Sequence, residues 1–410
     1  MAKIIPFKAV LPTRDKVHLV ASRSYINYTK PHLKGKLESN PFSFLHIINP
    51  DFYIPKKVTS HNIKYDMVKE KYLDFLNRGY FYKKEEIGFY LYRQIKNGKS
   101  YTGIIAGASV NDYLSGKIKI HEHTLTKREK LFEAYLEHTG FNAEPVLMTH
   151  PHSDKLISIK EKITESRPEF DFSTTDYVQH QFWIIDKPQD IKAITKEFLK
   201  FNSLYIADGH HRSASSVLLA KDYGELQNDS LGINFFMSLF IDEDELNILP
   251  FNRLLSSIKP FSEYEFIEKV KEQFNEVIAI EGEFIGPTKH HEIGMYINNN
   301  WFLLKSKISE EAEKHPTKRL DPQILSDKVF ENILGIIDIK KDKRVRFVSG
   351  TDGVKSIEKQ VNKGLAKVGF ALHGLNIKDV KLVADANMVM PPKSTWIEPK
   401  LRSGLVIYEF

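Results

Sequence analysis

The chain has 410 residues, 41% of them hydrophobic and 27% charged, which is enough apolar surface for one or two real cores and excludes a disordered chain. It contains no cysteine, which excludes disulfides, thiolate metal sites, iron–sulfur clusters and a thiol nucleophile. Its net charge of +6 comes from 59 basic and 53 acidic residues, interspersed as in "KEKYLDFLNR", so solvated helix faces are expected and a nucleic-acid surface is not.

In chain order, "MAKIIPFKAVLPTRDK" is interrupted by Pro6 and Pro12 and has no apolar core of signal-peptide length. No window reaches 18 consecutive apolar residues, so no membrane helix is expected and a cytoplasmic protein is. "NPFSFLHIINP" (40–50) reads as a short strand fenced by prolines. "YDMVKEKYLDFLNRGYF" spaces Met67, Tyr72, Leu73, Leu76 and Tyr80 as a helical face. Two β-rich runs flank Asn97-Gly98, a dipeptide that tolerates positive φ at both positions and so predicts a hairpin. Thr126 followed by Glu129 suggests a capping box, with Gly140 as the stop of the same helix. "YVQHQFWIID" predicts a strand and "IKAITKEFLK" a helix.

The segment "NSLYIADGHHRSASSVLLAKDYG" (202–224) carries the most chemistry. An apolar run, Leu204–Ala207, ends at Asp208-Gly209 and feeds a helix. The first amides of such a helix and its dipole favour an anion. Gly209 lets a phosphate approach the backbone, and Arg212 could add a bidentate contact. His210 and His211 point about 100° apart on a helix, which suits one facing a ligand and one packing, not a shared metal. The plainer alternative is a helix capped by Asp208 with surface histidines; an Arg212 held by a structural carboxylate would favour it. "NFFMSLFIDEDELNILPFNRLL" then predicts two strands around an acidic turn, and strands and helices alternate to the C-terminus, with a hairpin around Asn298–Asn300. The mixture predicts an α+β (mixed α/β) fold, divided softly into residues 1–255 and a C-terminal α/β region, 256–410.

Three further stretches hold candidate chemistry. "IKIHEHTL", if extended, puts His121 and His123 on one face and Glu122 on the other; Glu122 could deprotonate a hydroxyl or hold magnesium, and solvated side chains on a strand edge are the alternative. A zinc site shared by these histidines and the 210–211 pair is a weaker alternative. "MPPKSTW" stiffens the backbone ahead of Lys393, Ser394 and Thr395, a possible phosphate or carboxylate clamp or simply a rigid turn. His150 and His152 in "MTHPHSDK" read as loop residues.

"IADGHHRSASS" resembles the signature of the domain of unknown function 1015 family. So do "NPFSFLHIINP", "LYRQ", "TGIIAGASVNDYLSGKIKIHEHTL", "FFMSLFIDEDELNILPFNRLL" and "MVMPPKSTWIEPKLRSGLVIYEF", in the family's order over nearly the whole chain. Two blocks depart: "ASRSYINYT" stands where the family carries an "APPYDV"-like segment, and Pro250-Phe251-Asn252-Arg253 stands for its "PTHR"-like block, leaving Arg253 as the residue carried over. The corner also resembles the phosphate-binding motif of the ParB/sulfiredoxin-like superfamily, which includes free-serine kinases. That resemblance implies a ParB/sulfiredoxin-like N-terminal core and phosphoryl transfer on a small hydroxy-amino acid or its phosphoester, kinase-like or phosphatase-like. It implies a phosphate-containing small-molecule ligand, ADP or ATP as nucleotide, and Mg2+ on Glu122 and Asp208. Asp208, His210, His211 and Glu122 would be catalytic. Gly209, Arg212, His121, Arg253, Lys393, Ser394 and Thr395 would bind phosphate or substrate, the segments around Glu122 and Lys393 lining the cleft of the 208–212 corner. The sulfiredoxin reaction is excluded because it needs a cysteine. A non-catalytic nucleotide- or metabolite-binding regulator and a metal-dependent hydrolase are the competing readings.

Overall fold

A computed structural model describes residues 1–24, 28–54 and 60–410; part of the "ASRSYINYT" block, residues 25–27, lies outside the described residues. The architecture is mixed α+β and comprises two units. The first holds residues 1–119, 123–246 and 399–410, and the second 120–122 and 247–398. Among the described residues no helix is long and apolar enough to cross a membrane.

The first unit is built on a nine-stranded sheet. Its spine is a hairpin, Phe89–Lys96 and Lys99–Ser109, turned by Asn97 and Gly98 at φ of 50° and 75° as the dipeptide predicts. Phe235–Asp242 pairs antiparallel to Lys99–Ser109 and parallel to Val146–His150. Leu204–Asp208 follows, between Val146–His150 and the short strand Ile118–Lys119. A smaller sheet pairs Ala9–Pro12 with Phe81–Lys83 and Ile407–Glu409, so the last residues of the chain complete the first unit.

Local expectations failed where tertiary packing overrode pattern. Residues 40–50 are not a strand: Leu45–Ile48 is a helical turn, and Pro50–Tyr53 a 3-10 turn. The short apolar run suits either geometry, and burying Phe44 and Ile47 against Val68 and Phe75 decides for the turn. The following helix, His61–Asn77, buries Tyr65, Val68, Tyr72 and Phe75, worth roughly 1.5–3 kcal/mol per fully buried apolar side chain, and leaves Leu73 exposed. Helix Thr126–Thr139 stops at Gly140, with φ of 73°, as expected. Its capping box does not form. Thr126 is already helical, Leu125 is the N-cap residue, and Glu129 is bonded instead by the Thr124 hydroxyl.

The second unit has a seven-stranded antiparallel sheet in which Asn247–Leu255 pairs with Val345–Ser349, Val368–Leu372 and Thr395–Glu398. The predicted hairpin Glu292–Ile297/Asn300–Lys305 is present, turned by Asn298 and Asn299 at φ of 48° and 60°. Helix Glu263–Gln273 packs on this sheet through Phe266 and Val270 and carries a complete Ser262/Glu265 capping box.

Candidate functional site

The corner forms because its strand ends in an irregularity. Tyr205 and Ile206 face Thr149 and Met148, but Asp208, not Ala207, faces Leu147; the register slips by one residue. A bulge of this kind re-aims the side chain that follows it. Gly209 then takes φ of +106°, and helix His210–Tyr223 begins. An added Cβ at Gly209 would lie 3.1–3.3 Å from three guanidinium atoms of Arg212. The Arg212 side chain therefore folds back over the glycine, and both the backbone angle and the close approach require the missing side chain.

Charge at the corner is balanced. Lys400 Nζ donates to Asp208 Oδ2 at 2.8 Å. Burial acts to raise the Asp208 pKa, but Lys400 and Arg212 outweigh it and pull it down to about 2. The carboxylate is ionised at neutral pH and its side chain remains 41% exposed. Arg212 Nη1 donates to the Pro145 carbonyl at 2.6 Å and pairs with Glu144 at 2.8 Å. Arg212 thus has a structural carboxylate partner on one nitrogen, which counts for the plainer helix reading, although Gly209 and not Asp208 holds the N-cap position; Nε and Nη2 lie over Gly209.

His210 is buried, and desolvation pushes its pKa down to about 4 despite Asp208, so it is neutral at pH 7. It can donate or accept a hydrogen bond there but brings no positive charge. His211 is half-buried, and its Nε2 accepts the Leu125 amide at 3.3 Å. The small residues behind are satisfied by the helix itself: Ser213 donates to the His210 carbonyl, and Ser215 and Ser216 to that of Arg212.

The second unit gathers the other candidates. Arg253 is 1% exposed. Its guanidinium donates to the carbonyls of Phe251 (2.7 Å) and Pro392 (3.1 Å) and lies 4.6 Å from the Phe347 ring centroid. Burial alone pushes its pKa down to about 9. Through Pro392 it fixes the turn carrying Lys393, which adopts φ of +55° and sets its ammonium 5.5 Å from the Phe251 centroid. Ser394 is buried and donates to the Pro391 carbonyl, and Thr395 begins the strand opposite Pro250. His121 is buried, and its carbonyl accepts the Met390 amide at 2.9 Å; Glu122 is half-buried. Residues 120–125 form no strand, so the alternation expected of "IHEH" is not realised: His121 is buried and His123 exposed.

Sequence reasoning missed Lys400 and Glu144, which complete the corner from 192 and 68 residues away. "EPKLR" offers a basic residue near the C-terminus, but nothing in its pattern names Asp208 as partner. For a metal, the described residues contain a group of three whose ligand atoms lie within 4.8 Å of one another: His152, Asp242 and Asp244.

A family model described as "protein of unknown function" (DUF1015) matches residues 4–323. The chain is a member of the DUF1015 family. The match takes in the 208–212 corner, Glu122 and Arg253 but not Lys393 or Lys400. No curated protein matches this DUF1015 chain. Among solved structures it is similar to a free serine kinase variant in complex with AMP, at 13% identity over 72% of this chain and 87% of that one, TM-score 0.35. It is also similar to SbnI with C-terminal truncation from Staphylococcus aureus, at 12% identity over 72% and 82%, TM-score 0.36. A conserved hypothetical protein from Pyrococcus furiosus matches at 14% identity over 74% and 92%, TM-score 0.34.

Proposed function

We propose that this protein is a phosphoryl-transfer enzyme that uses ADP or ATP to phosphorylate a small hydroxy-amino acid of the serine type. The observation that carries the reading is the corner itself. A left-handed Gly209 opens onto a helix start, Arg212 Nε and Nη2 lie over it, and Asp208 stays ionised beside Lys400. Phosphoryl transfer asks a protein mainly to position groups and to offset charge, and helix-start amides with a guanidinium do that for a phosphate. The substrate hydroxyl oxygen bonds to the terminal phosphorus, the bond from phosphorus to the nucleotide oxygen breaks, and the hydroxyl proton passes to a carboxylate. Glu122 is assigned that proton on its residue chemistry, and Asp208 a magnesium ion. His210, neutral at pH 7, serves as a hydrogen-bond partner to a phosphate oxygen, with His211 beside it. Lys393 and Thr395 are assigned to the anionic part of the substrate on their residue chemistry, with the buried Arg253 and Ser394 holding the turn that carries them.

The test is a thermal-shift titration with ADP, ATP, serine, phosphoserine and Mg2+, followed by phosphorus NMR for turnover. A ligand at 100 times its Kd should add about 2.7 kcal/mol. Gly209→Ala should cost about 1–2 kcal/mol of stability through its positive φ and should weaken nucleotide binding by displacing Arg212. Nucleotide binding without phosphoserine formation would turn the reading into that of a regulator. No shift with any nucleotide would remove it.

A further inference from the structure

A second cluster of ionisable groups lies in the first unit, outside the corner. Strands Val146–His150 and Phe235–Asp242 run parallel as neighbours, with His150 opposite Asp242. Their C-terminal ends therefore share one edge of the sheet, and residues just past each end meet there although about 90 positions separate them. His152 follows the first strand, Asp242 closes the second, and Asp244 sits in the 3-10 turn Glu243–Glu245.

His152 stands among three carboxylates. Its Nε2 is 3.2 Å from Asp154 Oδ1, and its Nδ1 is 3.1 Å from Asp244 Oδ2 and 3.6 Å from Asp242 Oδ2. Asp154 accepts from Nε2–H, the arrangement that fixes the tautomer of metal-bound imidazoles and leaves the Nδ1 lone pair for the metal. That lone pair faces two carboxylates, a repulsive arrangement unless a cation lies between them. No lysine or arginine among the described residues pairs with either. Lys160 is taken by Glu245 and Lys200 by Glu197. His150 is engaged elsewhere: its Nδ1 donates to the Pro151 carbonyl at 2.7 Å and its ring stacks on Phe201. Asp242 has a side chain only 2% exposed and among the described residues its hydrogen-bond donors are backbone amides, of Asp244 at 3.0 Å and Ser153 at 3.4 Å. A buried carboxylate whose nearest cationic partner is a histidine is costly when that histidine is neutral, and such groups are paired or bind metals.

The spacing decides what fits. Ligands about 2.1 Å from a divalent ion lie about 3.0–3.4 Å apart in octahedral or tetrahedral geometry; the 3.1 Å separation from Asp244 falls in that range and the 3.6 Å separation from Asp242 lies just beyond it. We propose that His152, Asp242 and Asp244 form a divalent transition-metal site, for an ion such as Zn2+ or Mn2+. An imidazole with two carboxylates favours these over Mg2+, which prefers an all-oxygen shell. Three protein ligands leave coordination positions open. His152 also lines a cleft of about 410 Å³ with Pro151, Lys200, Asn202, Ser203 and Tyr205, which gives water or a small anion access.

Isothermal titration of the chelator-treated full-length protein with Zn2+ and with Mn2+ at pH 7.5 tests this. One ion should bind per chain, and affinity should fall at least about 10-fold at pH 5.5 as His152 takes up a proton. His152→Ala and Asp244→Ala, both at half-exposed or exposed side chains, should fold normally by circular dichroism and each weaken binding at least about 100-fold. No binding of either ion at pH 7.5, or affinity within twofold of wild type in both variants, overturns the site.

Discussion

The two units hold buried titratable groups in opposite ways. In the first, four histidines are buried, three of them with strongly depressed pKa values: His150, His180 and His210. Desolvation pushes their pKa values down to about 4, about 3 and about 4. His180 faces the Tyr92 hydroxyl at 2.7 Å and the Thr174 hydroxyl at 3.1 Å, His150 stacks on Phe201, and His210 lies beside the ionised Asp208. The second unit buries a base too, Arg253, but it also buries a carboxyl with a raised pKa. Asp321 is fully buried, and its Oδ2 accepts no hydrogen bond. Burial pushes its pKa up to about 7 although the His291 amide donates to Oδ1. Below about pH 7, where Arg253 keeps its proton, the first unit's buried histidines resist protonation and Asp321 of the second resists ionisation, so through these groups proton uptake opposes folding of one unit and favours folding of the other.

The largest expected effect follows from the histidines. Their folded pKa values lie below the ordinary value near 6.5, so their contribution is complete above that pH and is lost as pH falls toward 4. For His210 a shift of this size corresponds to on the order of 3 kcal/mol at full protonation. Hydrogen exchange of peptides from 123–246 should lose protection steeply between pH 6.5 and pH 4, and His180→Phe should flatten part of that loss. A pH-independent profile across this window would show that these histidines are hydrated in solution.

Asp321 predicts the reverse for the second unit. Its folded pKa is raised, so its contribution is complete below the unfolded carboxyl range near 4 and is lost as pH rises through about 7. Asp321→Asn keeps an acceptor for the His291 amide and removes the ionisation. Peptides from 247–398 should be better protected in the variant at pH 8 and nearly unchanged at pH 4. Equal protection at both values would end the contrast between the units.

This contrast was largely invisible in the sequence, and the reason is the range of the interactions. The corner was legible because it is local: Leu204–Ala207, Gly209 and the run from Ser213 each act on their own stretch of backbone. The Asn97-Gly98 hairpin was legible for the same reason. Lys400 reaches Asp208 only because the last residues pair back through Ile407–Glu409, and His152 meets Asp242 only because two strands far apart in sequence run parallel. His150 and His152 carried no signal beyond "HPH" beside a proline, and a loop assignment was the natural one until the strand partner was known. Where a local pattern was ambiguous, as in residues 40–50, packing decided.

The smallest effect sharpens the comparison at the corner. Unlike the buried histidines, Asp208 has cationic partners and a side chain 41% exposed. A partly exposed pair is screened, and exposed ion pairs contribute about 0–1 kcal/mol. Lys400→Met should therefore change stability at pH 7 by less than about 1 kcal/mol. Its signature lies in pH dependence. Asp208 is depressed to about 2, so its stabilising contribution is present above the ordinary carboxyl range and is lost as pH falls through about 2. Removing Lys400 leaves desolvation opposed only by Arg212 and its neighbours, so the Asp208 pKa should rise and the loss begin at a higher pH. Carbon-13 NMR titration of the Asp208 carboxyl in the wild type and the variant measures this directly. An unchanged midpoint would mean that Arg212 alone keeps Asp208 ionised, and the anion-binding capacity of the guanidinium would then already be spent inside the corner.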